Sequence, residues 1–62
     1  MKVKVYPKKN KFIHYDHKCI IKMYIDISLD EIESLIIEEM LNDIRHRYIY
    51  EMNTIDHVII EN

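Results

Sequence analysis

The sequence predicts an α+β fold: a three- to four-stranded antiparallel sheet, in the order β-β-β-α-β, covered on one face by a single amphipathic helix. Three observations lead there. Apolar and polar residues alternate at the start of the chain and again over residues 18–27, the period of a half-buried strand. Ser28-Leu29-Asp30-Glu31 has the form of a helix capping box. From Leu29 to Arg47, apolar residues then return at helical spacing.

The elements follow in order. Val3 and Val5 alternate with Lys2, Lys4 and Tyr6, which makes residues 2–6 a strand. Pro7-Lys8-Lys9-Asn10 ends it, because proline cannot donate to a ladder and asparagine tolerates turn geometry. Residues 11–15 read as a second short strand, with Phe12 and His14 on one face and Ile13 and Tyr15 on the other. Asp16-His17 is expected to turn the chain into a third strand over 18–27. That strand places Cys19, Ile21, Met23, Ile25 and Ile27 on one face.

The helix is expected from about Leu29 to Arg47. Ser28 caps it, and Ile27 and Ile32 occupy the positions of a hydrophobic staple. Asp30, Glu31 and Glu33 sit at the positive end of its dipole, and Arg45, His46 and Arg47 at the negative end. On a helical wheel, Leu29, Ile32, Ile36, Ile37, Met40, Leu41, Ile44 and Tyr48 span roughly 180°, wider than the stripe of about 100° that one sheet needs. The surplus points to a second apolar contact. Asn53 and Thr54 then break the chain, and its β-branched residues make 55–60 a last strand.

Sixty-two residues make one domain, spanning 1–62, that buries only about 60% of its unfolded surface and is marginal without help. Its single cysteine excludes an internal disulfide and suits a reducing compartment. With no apolar run of membrane-spanning length and no secretory pattern at the start, a soluble, cytoplasmic protein is expected. The remaining support is a second copy of the chain. Leu35, Leu41, Tyr48 and Met52 are the expected interface of a homodimer.

Few residues point to chemistry. His14, His17 and Cys19 crowd six positions, but structural zinc usually takes two separated ligand pairs. They read instead as surface turn histidines beside a buried core cysteine, with no metal and no cofactor expected. A chain without glycine has no phosphate-cradling loop, and no paired carboxylates or activated thiol support an enzyme.

Charge is more informative. Residues 1–25 hold seven lysines against one acid, and residues 26–62 hold ten acids against two arginines. Such opposed charge steers partners. The favoured reading is a small, non-enzymatic protein-interaction module, an inhibitor or adaptor of the kind carried by phages and mobile elements, that covers a surface of another macromolecule. Glu38, Glu39 and Asp43, on an acidic helix face, are its expected contacts with a basic protein. The alternative is single-stranded nucleic-acid binding on an outer sheet face, with Lys2, Lys4 and Lys22 for phosphates and Tyr24 for stacking bases.

Overall fold

The computed structural model describes residues 1–27 and 31–62 and is almost entirely β. The strands are β1 (Lys2–Pro7), β2 (Tyr15–His17), β3 (Ile20–Ile27), β4 (Glu33–Leu41), β5 (Ile44–Glu51) and β6 (Ile55–Glu61). One 3₁₀ turn, Met52–Thr54, separates the last two. The strands form two three-stranded antiparallel sheets, β2-β1-β6 and β3-β4-β5, which we call sheets A and B.

The expected α+β fold is therefore corrected: among the described residues no helix covers a sheet, and most of the segment assigned to it is a β-hairpin. Glu38 pairs with Arg47, Ile37 with Tyr48 and Leu35 with Tyr50. The hairpin turns at Asn42-Asp43, flanked by the Leu41–Ile44 pair. Both turn residues are left-handed, at φ 52° and 63°, as a two-residue type I′ turn requires. Asn and Asp are the non-glycine residues that best tolerate this region. The capping-box residues Ser28, Leu29 and Asp30 lie outside the described residues. Glu31, the third position of that box's helix, has φ 59°, which is not right-handed helix.

A sheet satisfies the same apolar pattern in another way. Leu35 and Ile37 point inward from β4 and are buried with Val3, Val5 and Ile55 of sheet A. Ile36 points to the opposite face, yet is only 3% exposed, because Tyr24 and Ile49 flank it across the ladder. The run Leu35-Ile36-Ile37 is thus apolar on both faces of a central strand. That is what widened the arc on the helical wheel.

Of the residues expected at a dimer interface, Leu35, Leu41 and Tyr48 lie in the hairpin and Met52 in the turn that follows it. Leu35 belongs to the core, and Tyr48 and Met52 pack against it. Leu41 stands beside the hairpin turn at the sheet's end. Leu35 and Met52 line one groove at the surface, and Leu41 and Tyr48 are not part of it.

Other boundaries move too. The second strand is Tyr15–His17, so Asp16 and His17 lie within a strand instead of turning the chain. In β3 the register slips between Ile20 and Lys22. This bulge leaves Ile20 against the core and Ile21 half in solvent, breaking the expected alternation. Cys19, expected in the core, is exposed.

The turn carries a test. Replacing Asp43→Gly removes a Cβ from a left-handed position in a chain that has no glycine of its own. The expected outcome is about 0.5–1 kcal/mol of added stability, read as a Tm several degrees higher in thermal denaturation. A lower Tm would contradict the hairpin.

Candidate functional site

The most connected polar group in the structure is the carboxylate of Glu39. Its place follows from strand period: it is two residues beyond Ile37 on β4, so it points to the core side of sheet B. There it is 4% exposed and meets His17, 3% exposed, on β2 of sheet A. Glu39 Oε1 accepts a hydrogen bond from His17 Nδ1. Its other oxygen accepts from the backbone N–H groups of Lys18 and Cys19, at 3.2 and 3.3 Å, where the chain crosses between the sheets.

The far side of the imidazole is also occupied. His17 Nε2 lies 2.7 Å from the Tyr50 hydroxyl on β5, and the ring meets Tyr48 edge-on at 4.8 Å. A carboxylate only accepts, so Nδ1 carries a proton, and the ring spans the gap between the carboxylate and the Tyr50 hydroxyl. Burial, reinforced by Tyr15, Tyr48 and Glu39, pushes the Tyr50 phenol up to about 12. His17 was expected as a surface turn histidine. It is instead the link between two sheets.

This line of carboxylate, imidazole and phenol ends at a groove of about 460 Å³. Val5, Pro7, Tyr15, Tyr50 and Ile55 form its walls, and Lys8 and Lys9 stand at the mouth. The chemistry available to it is limited. A phenol held near 12 is a weak nucleophile and a weak base at neutral pH. The carboxylate behind it is committed to backbone donors.

A second feature lies on the opposite flank. The outer strands β3 and β6 belong to different sheets, and no described strand pairs with their outward edges. Between them opens an apolar groove of about 440 Å³ lined by Met23, Ile25, Leu35, Met52, Val58 and Ile60. Ile25 is 57% exposed and Ile60 54%. Apolar side chains that would be core in a wider sandwich here face solvent.

The residues expected to act together are scattered. Glu38 lies on the outer face of sheet B, 3.4 Å from Arg45; Glu39 is buried; Asp43 is in the hairpin turn. Glu38 and Glu39 share no face, because they are consecutive in a strand and point to opposite sides. Lys2 and Lys4 belong to sheet A and Lys22 and Tyr24 to sheet B, so the expected lysine–tyrosine platform is divided. Glu61 bonds Lys4 at 3.2 Å and holds its pKa above the ordinary lysine value. Lys22 lies over the Tyr24 ring at 4.8 Å, and Arg47 donates to the Tyr24 hydroxyl. His14, His17 and Cys19 form no metal-holding group among the described residues.

Sequence reasoning missed Glu39, His17 and Tyr50 as a unit. The one available signal was the parity of Glu39 with Leu35 and Ile37, which on a strand demands a buried partner for an acid.

No protein-family model matches the chain, and no curated protein or solved structure matches it. Among the described residues no helix is long and apolar enough to cross a membrane, which says nothing of membrane β-barrels.

Two outcomes follow from the buried network. Glu39→Ala leaves His17 and two backbone N–H groups without their acceptor and is expected to cost about 3–5 kcal/mol in urea denaturation. Replacing both His17 and Glu39 by leucine should also be destabilising, since the N–H groups of Lys18 and Cys19 and the Tyr50 hydroxyl then have no partner. Tyr50 adds a pH dependence. Its phenol titrates near 10 when unfolded and near 12 when folded, so its contribution to stability is complete below pH 10 and lost as pH rises towards 12. The stability gap between the natural chain and Tyr50→Phe should therefore narrow between pH 10 and 12, and one tyrosine absorbance should titrate late.

Proposed function

We propose that this chain is a non-enzymatic protein-interaction module and that its contact surface is the open flank between β3 and β6. One observation carries the reading: two unpaired strand edges border a groove whose lining is almost wholly apolar. An exposed edge offers a ladder of free N–H and C=O groups to an extended segment, and the groove beside it receives that segment's apolar side chains. The size and charge of the chain suit an inhibitor or adaptor that covers part of another macromolecule. The absence of catalysis is supported by the buried network, whose one phenol is held protonated and whose carboxylate is spent on structure.

Nucleic-acid binding is the second reading, and it now rests on the outer face of sheet A alone. Lys2, Lys4 and Tyr6 share that face with His57, whose ring stacks on Tyr6 at 4.3 Å. A ring already stacked and a lysine already paired leave less for bases and phosphates than the sequence promised.

Site-specific photo-crosslinking in cells separates the two. A photoreactive residue at position 25 or 60 is expected to trap protein, and one at position 2 or 4 to trap little. Crosslinks concentrated at positions 2 and 4, with nucleic acid in the product, would overturn the module reading.

A further inference from the structure

We propose that the occupant of the open flank is a second copy of this chain, joined by antiparallel pairing of β3 with β3 about a two-fold axis through Tyr24. The inference rests on the flank being a protein-contact surface and names its partner.

The sequence of the edge is self-complementary in one register. Residues directly opposed in an antiparallel pair point to the same face, so only registers that keep inner residues opposite inner residues preserve the apolar side. β3 carries Lys22, Tyr24 and Asp26 on its outer face and Met23 and Ile25 on its inner face. A two-fold centred on Lys22 would oppose lysine to lysine, and one centred on Asp26 would oppose acid to acid. Centred on Tyr24, the pairing sets Lys22 against Asp26 of the second copy, twice, and Tyr24 against its own equivalent. Met23 then meets Ile25 on the inner face, again twice.

Asp26 has no ion-pair partner among the described residues, so its charge is available for this contact. Ile27 and Ile21, 65% and 48% exposed, fall at the two ends of the pairing, where each lies beside the other of the second copy. The axis stands perpendicular to sheet B, which places both copies of sheet A on the same side. The two apolar flanks, with Val58 and Ile60, then face each other and close the groove. Charges on an edge strand usually block pairing with other chains. Here they block the registers centred on Lys22 and Asp26, and only the one centred on Tyr24 sets opposite charges against each other.

The test uses the full chain and its mass in solution. Multi-angle light scattering at micromolar concentration is expected to give twice the chain mass. Asp26→Lys, which sets like charges opposite each other at both symmetry-related contacts, should weaken the dimer about tenfold. The double exchange of Lys22→Asp with Asp26→Lys restores opposite charges in this register and should restore the dimer. Far-UV circular dichroism identifies any variant that fails to fold. Independently of charge, Tyr24→Cys in a Cys19→Ser background should oxidise to a covalent dimer, since the two positions are directly opposed.

A monomeric natural chain, or a dimer that Tyr24→Cys does not crosslink, would overturn this pairing. If position 25 still trapped another protein in cells, only the identity of the partner would fall. If it trapped nothing, the flank itself would lose its role.

Discussion

The whole arrangement turns on one buried carboxylate. Two three-stranded sheets of so short a chain share a thin core, built round Val3, Val5, Leu35, Ile37 and Ile55. Apolar contact is non-directional and leaves the sheets free to slide. Glu39 removes that freedom, since its two oxygens bind His17 of sheet A and the backbone of the crossing segment together. Hydrogen bonds fix an angle and a register that packing alone does not. Taking a carboxylate out of water is expensive, and this one is tolerated because every lone-pair direction used meets a donor. Among the described residues no buried side-chain oxygen or nitrogen lacks a partner.

The charge split takes on another meaning in three dimensions. The basic first half and the acidic second half are not opposite poles, because β1 lies beside β6. Lys4 meets Glu61, and Lys11 lies 3.8 Å from Asp56. In sheet B, Glu38 stands between Lys22 and Arg47 in register and pairs with Arg45. Some charges of the two halves thus meet across strands. Part of the charge split is an internal complementarity that accompanies correct pairing.

Part of this was legible in the residues. β1, most of β3 and β6 are marked by alternation and by β-branched residues, and the structure has strands there. The hairpin was missed because two patterns overlap between 33 and 51. Acids before the apolar run and arginines after it fit a helix dipole, yet in the structure the arginines lie opposite Met40 and Glu38 on β4. Three consecutive apolar residues, Leu35-Ile36-Ile37, carry no period at all. Asn42-Asp43 was the deciding signal, and the lack of glycine disguised it. The clasp was hidden for another reason: His17 and Glu39 are far apart in the chain, and nothing local to either announces the other. Cys19 was misplaced by the bulge, which no sequence pattern marks without glycine.

The two sheets differ in the distances along the chain that they span. Sheet B is a meander of three consecutive strands, each returning on the last, whereas sheet A needs β1 to wait for β6, with Lys2 finally opposite Glu61. Closing so long a loop carries an entropy that must be met before any contact rewards it. Contact order therefore sets one pairing, β1 with β6, apart from the others, all of which join strands consecutive in sequence. Val3 and Val5 have no ladder to β6 until nearly all the intervening chain is placed. β1 is held on one edge by the nearby β2, while its other edge is covered only by the last strand of the chain.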